Sequence, residues 1–264
     1  MSDTDKLNEL IHFMKGAEPF SKTFADLTRT RRRWCPFSHD NGVDSQCYHA
    51  NESVKALLDW TARYVTCCRY LDINRYSIDS MSVTFAKLQT PETMSNFDDF
   101  QTLINDLASQ IKFIEPELRD KLSRLECREC MRLDEALVCF ENYCFRSAIV
   151  MAVSAVEYRI VELIRRSDEK LYLQHFSKAT LGQLIDVFNE DRYKNEEYGQ
   201  IKSLMPAKHK PLISLLNQYR VFSAHPKDEE VTPQIAEAVL HLAFAFMTDP
   251  GTCPYSLEEL SCRG

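Results

Sequence analysis

SAIVMAVSAVEYRIVELI, residues 147–164, is apolar almost all the way round at helical period. A helix of that kind has to be covered on every side, which puts it in the middle of a bundle and makes its neighbours helices too. Upstream, ELRDKLSRLECRECMRLDEALVCFENYCF (117–145) is amphipathic and free of glycine and proline, and its spacing predicts one helix from Glu117 to about Asn142. Downstream, residues 165–210 are polar and mixed, with a short helix predicted at LGQLIDVF. Pro211 then opens PLISLLNQYRVFSA, which must end near His225 because Pro226 follows. Thr232 and Pro233 read as N-cap and first position of a last helix, IAEAVLHLAFAFM, running to Met247. The tail, 251–264, carries no clear signal.

The first 116 residues read as a smaller helical domain. Leu7, Leu10, Ile11 and Met14 mark a short amphipathic helix, and a second follows Pro19. RTRRRWCPFSHDNGVDSQCYHANES (29–53) is rich in turn formers and reads as a long loop. Leu57, Leu58, Trp60, Tyr64, Val65 and Cys68 place a helix from Val54 to about Leu71. The period continues through Phe97, Phe100, Leu103, Ile104, Leu107, Ile111 and Ile114, and this helix should stop by Glu115, ahead of Pro116. The expected class is therefore all-α, with a helical bundle over 117–250 after a helical domain over 1–116.

Composition narrows the function. Six glycines are few for a β-rich fold with its tight turns. No apolar run is long enough to span a membrane, and the polar start is unlike an export signal, so a cytoplasmic location is expected. Of the ten cysteines, Cys67, Cys68, Cys139 and Cys144 sit in apolar helical runs, where they read as small buried hydrophobes kept reduced. Cys127 and Cys130, a spacing that could form half a metal site, fall inside a predicted helix with no second pair. The net charge of −7 excludes a broadly basic nucleic-acid domain. Any RNA contact has to be local.

One local candidate is Arg220-Val-Phe-Ser-Ala-His225. Its setting, EALVCFENYCFRSAIVMAVSAVEYRIVELI (135–164), then LGQLIDVF, YRVFSAHP and the apolar helix after VTPQIAEAV, resembles the HEPN superfamily over about residues 119–248. The resemblance implies a helical bundle that pairs into a homodimer. It also implies a metal-independent endoribonuclease, acting in stress response or defence against foreign genetic elements. Arg220 and His225 would line a cleft at the two-fold interface, with Glu157 of the core helix as their acidic support. Glu157 in so apolar a helix needs a cation from another segment, and Arg220 is the natural one. The departure is Val221, where many active members carry a polar residue. It favours the alternative of a non-catalytic module that binds RNA, a nucleotide or a partner protein. The homodimer has a sequence argument of its own: Ile235, Ala236, Val239, Leu240, Leu242, Ala243, Phe244 and Phe246 give the last helix more apolar surface than one neighbour covers.

Two further clusters lie in the long loop. Arg31, Arg32 and Arg33 beside Trp34, with Arg29 close by, could grip an RNA backbone and stack a base, or simply form a solvated helix end. Cys35, His39, Cys47 and His49 have the count for a structural zinc but not the paired spacing. No cofactor is expected, zinc being the weaker option, and no DNA-specific binding.

Overall fold

The computed structural model describes residues 61–90 apart from 63 and 67, residue 93, and residues 97–189, 196–225 and 230–255. Helix accounts for 83% of them and no strand occurs among them, which makes the fold all-α. The loop candidates Arg31, Arg32, Arg33, Trp34, Cys35, His39, Cys47 and His49 lie outside the described residues, as does Cys67. The chain divides into two compact units, Met1–Asp120 and Lys121–Gly264.

In the first unit, residues described between 61 and 70 are helical, as the Val54–Leu71 pattern predicts. They are followed by α1 (Arg75–Leu88) and α2 (Phe97–Leu122). Asn74 caps α1 by accepting from the Tyr76 and Ser77 amides, and its own amide donates to Glu117 at 3.3 Å. The apolar stripe of α2 does not end at Glu115. Ile111, Ile114 and Leu118 are all buried, and Pro116 lies inside the helix. Proline forfeits one backbone bond, but burial of Ile114 and Leu118 one turn apart outweighs the loss and carries the helix through.

The second unit contains α3 (Cys127–Glu141), α4 (Phe145–Ser167), α5 (Leu181–Asn189), α6 (Glu196–Ser203), α7 (Lys210–Ala224) and α8 (Pro233–Thr248). A π turn at Tyr172–Phe176 lies between α4 and α5. α4 is the central helix, with Ala148, Ile149, Ala152, Val153, Val156 and Ile160 fully enclosed, and it packs against α3, α7 and α8. Pro211 and Pro233 stand at the starts of α7 and α8, and Thr232 caps α8 by accepting from the Ile235 amide at 3.3 Å. The single helix expected from Glu117 to Asn142 is instead two. A break before Cys127 is sealed by a capping box in which Glu126 accepts from the Arg128 amide and Glu129 accepts from the Glu126 amide. Glutamate is an unusual N-cap, so the sequence hid it.

α8 buries Ala236, Val239, Leu240, Ala243, Phe244 and Phe246 within its own chain and leaves Ile235 and Leu242 half-buried. One other expectation is corrected. Cys144 stands exposed at the start of α4 instead of inside an apolar run, while Cys68 is buried as expected.

The break before α3 is tied to the one strong buried charge pair in the described residues. Arg159 and Glu129 are both 0% exposed. Arg159 Nε donates to Glu129 Oε1 at 2.6 Å and Nη2 to Oε2 at 2.5 Å. Its remaining donors reach the carbonyls of Arg124 (2.7 Å), Met247 (3.1 Å) and Thr252 (3.3 Å). Glu129 also accepts from the Tyr255 hydroxyl at 3.0 Å and the Glu126 amide at 2.8 Å. Burial opposes the Arg159 charge, but Glu129 outweighs it and holds the guanidinium above its ordinary pKa; burial and Glu129 push the Tyr255 phenol up, so it stays a donor. Arg159→Met should therefore destabilise the fold by about 3–5 kcal/mol, because it leaves Glu129 buried and uncompensated. A loss below about 1 kcal/mol in urea unfolding would contradict this.

Asp249, which ends α8, forms a second polar anchor. It pairs with Lys208, accepts from the Gly251 amide at 2.7 Å, and has His209 Nε2 3.2 Å away, too poorly directed for a hydrogen bond. Burial alone would raise its pKa, but Lys208, the Gly251 amide and His209 together hold it below the usual carboxylate value. A lowered folded pKa contributes stability above the unfolded value and loses it as pH falls through the folded one. Stability should thus decline below about pH 4, and Asp249→Asn should flatten that part of the pH–stability curve. Equal slopes for both proteins in acid titration would refute it.

Candidate functional site

α7 ends where Pro226 forbids another helical residue. Its C-cap, His225, turns to extended backbone (φ −102°, ψ 135°), while its amide still reaches the Val221 carbonyl at 3.3 Å. The carbonyls freed at such an end need donors. Arg146, in the first turn of α4, supplies them: its Nη1 reaches the carbonyls of Phe222 at 3.4 Å and His225 at 3.3 Å. The same guanidinium lies 5.6 Å from the centre of the Phe222 ring. A cation here also complements the negative end of the helix dipole.

Arg220, half-buried one turn back, donates from Nε and Nη2 to Asn217 Oδ1 at 3.4 and 3.2 Å. His225 is exposed. The end of α7 therefore carries Arg220 and His225 on one helix, with Arg146 held against its last carbonyls. Ser223 between them is 7% exposed, and its hydroxyl has no hydrogen-bond partner. Val221 is 42% exposed.

Glu157 does not join this group. It is half-buried, and no ion pair links it to Arg220, whose donors turn to Asn217 instead. The cause is axial. The start of α4 lies beside the end of α7, and Glu157 stands roughly 16 Å further along α4 from Arg146, at about 1.5 Å per residue. The buried charge expected in this apolar helix exists, but it is Arg159, two residues on and on another face, and its partner is Glu129. Arg146 stands in the stretch EALVCFENYCFRSAIV with no local pattern to mark it out. Asn217, three residues before Arg220, could have been found as an i,i+3 partner.

The three groups suit an anion better than a metal. Two are permanent cations, and imidazole is the side chain that exchanges protons near neutrality. Among the described residues no set of three or more histidine, cysteine or acidic side chains is placed to hold a metal ion. No helix among them is long and apolar enough to cross a membrane. Comparison with family models, with curated proteins and with solved structures finds no match.

Arg146→Met should cost about 1–2 kcal/mol of stability and speed amide exchange at the end of α7, since two carbonyls lose a charged donor. Glu157→Gln should change stability by no more than about 0.5 kcal/mol. Urea melts and hydrogen exchange on both variants check this; the reverse ranking would restore Glu157 as the supporting residue.

Proposed function

We propose that the end of α7 is a phosphodiester site and that the protein is a metal-independent endoribonuclease of the HEPN type. The observation that carries this is the solvent-open His225 at the end of α7, where Arg146 is held against the last carbonyls and Arg220 stands on the same helix. His225 takes the proton of a ribose 2′-hydroxyl, which attacks the adjacent phosphorus. Arg220 binds the non-bridging oxygens and stabilises the charge that grows on them. Arg146 is a positioning residue that fixes the helix end. A second copy facing the first across a dyad supplies the other histidine, which protonates the leaving 5′-oxygen. The α8 surface being largely covered within the chain, that dyad would use α7, where Leu215 and Val221 are 39% and 42% exposed. Glu157 has no part in the mechanism.

A second reading rests on Val221 and on the displaced Glu157: the site binds RNA without cutting it. Cleavage of single-stranded RNA in excess chelator separates the two. The first reading gives fragments with 2′,3′-cyclic phosphate and 5′-hydroxyl ends, no reaction on DNA, and a loss of about 10²-fold or more in His225→Ala. Cleavage that survives His225→Ala, or that needs added metal, excludes the mechanism. Retention of RNA without cleavage, weakened by Arg220→Ala, selects the second reading.

A further inference from the structure

The other end of α4 carries a separate group of arginines. A cleft of about 270 Å³ opens between the start of α3, the last turns of α4 and Tyr255. Glu126 and Arg128 form one wall; Tyr158, Glu162, Arg165 and Arg166 form the other. Arg132, beside the cleft's lining, rests on the same Tyr158 ring, with its guanidinium 5.1 Å from the ring centre and that of Arg128 at 5.9 Å. Beneath lies the closed Arg159–Glu129–Tyr255 cluster, whose charges cancel and whose guanidinium donors are occupied.

The charges of the walls do not cancel. Glu162, 5% exposed, serves two cations at once, Arg165 at 2.8 Å and Arg166 at 3.3 Å. Glu126 accepts from the backbone amide of Arg128 at 2.9 Å as the cap of α3. The Arg128 and Arg132 side chains stack on Tyr158, Arg132 also donating to the Arg128 carbonyl at 3.4 Å, and neither pairs with a carboxylate among the described residues. Among the described residues Glu169 also acts on Arg165, so Arg128, Arg132, Arg165 and Arg166 face Glu126, Glu162 and Glu169 on a chain whose net charge is −7. Arg128 and Arg132, side by side on one ring, repel each other until an anion joins them.

We propose that this cleft binds a phosphate monoester, held by Arg128, Arg132 and Arg165. A monoester carries about −1.5 to −2 at neutral pH, close to the combined charge of Arg128 and Arg132, and guanidinium forks fit its oxygens. A single carboxylate would neutralise half of that pair. The site is independent of the phosphodiester site: Arg146 and Arg165 stand roughly 28 Å apart along α4. Such a phosphate occurs on free nucleotides and at the 5′ end of RNA strands, and the ligand's source is an arm of the test.

Isothermal titration on the full-length protein carrying Arg220→Ala and His225→Ala, in which the other site neither holds nor cuts RNA, uses four probes: adenosine, its 5′-monophosphate, and a short RNA with either a 5′-phosphate or a 5′-hydroxyl. Expected is binding of the monophosphate, the phosphorylated RNA or both, with adenosine and the hydroxyl strand at least roughly tenfold weaker. Binding of the monophosphate assigns a nucleotide; binding of the phosphorylated strand alone assigns an RNA end. Arg128→Gln with Arg132→Gln should weaken binding roughly tenfold or more, and lysine at both positions should restore part of it. Circular dichroism reports whether each variant is folded, and either single substitution serves if the double one is not. No binding of either phosphorylated probe, or equal affinity in folded glutamine variants, overturns the proposal.

Discussion

A guanidinium placed in the middle of an apolar helix is the constraint on which the second unit depends. Arg159 is fully enclosed, and an unpaired charge there would be untenable. Its solution recruits four separate stretches of chain: the carboxylate of Glu129 on α3, the Arg124 carbonyl before α3, the Met247 carbonyl on α8, and the Thr252 carbonyl beyond it. Each acceptor arrives from a different direction, so the side chain works as a template that permits one arrangement of those stretches. Buried ion pairs contribute little net stability compared with an apolar replacement, and their better-supported role is to select among packings. The apolar sides of α4 supply the driving force; Arg159 restricts how it is spent.

That template explains why chain breaks fall where they do. The Arg124 carbonyl can point at Arg159 only because α2 has ended at Leu122, and Glu129 can reach it only because it is also held at the start of α3 by the Glu126 amide. Arg124 itself reaches the Thr248 carbonyl at 2.6 Å, so the same short connection ties down the end of α8. Past that end, Thr252 is fully buried and Tyr255 nearly so, with the Arg166 guanidinium 4.8 Å from the Tyr255 ring. Residues that carry no periodic signal thereby become part of the core.

Periodicity and capping made the elements legible. The central position of α4, the start of α7 at Pro211 and the cap of α8 at Thr232 all follow from rules that act over a few residues. What escaped depends on distant partners. Pro116 stays helical because burial on both sides of it outweighs a missing bond. The α2–α3 break uses a glutamate as cap, a residue type with little preference for that position. In α4 the requirement that a buried charge find a partner was sound, but it was attached to Glu157. The sequence contains both charges two positions apart, and only the packing of α3 and α8 tells which one faces inward. The same limit hid Arg146: an arginine in a first turn looks unremarkable until the end of another helix is beside it.

The second unit's arginines differ in what they have left to offer. Arg159 has spent its donors on fixed acceptors in a closed space, so it can hold a fold but not a ligand. Arg146 spends donors on the carbonyls that end α7, and its charge still counts toward any anion brought there. Arg128 and Arg132 rest on a tyrosine ring, which holds their orientation while leaving their charge unneutralised by any carboxylate among the described residues. This gradation allows a chain of net charge −7 to present cationic sites. Net charge governs attraction at long range and is screened within about 10 Å at ordinary salt, whereas a site is governed by the few charges it holds at contact. Recognition would therefore depend on fitting a particular phosphate into place, with little of the sequence-independent attraction that a basic surface gives.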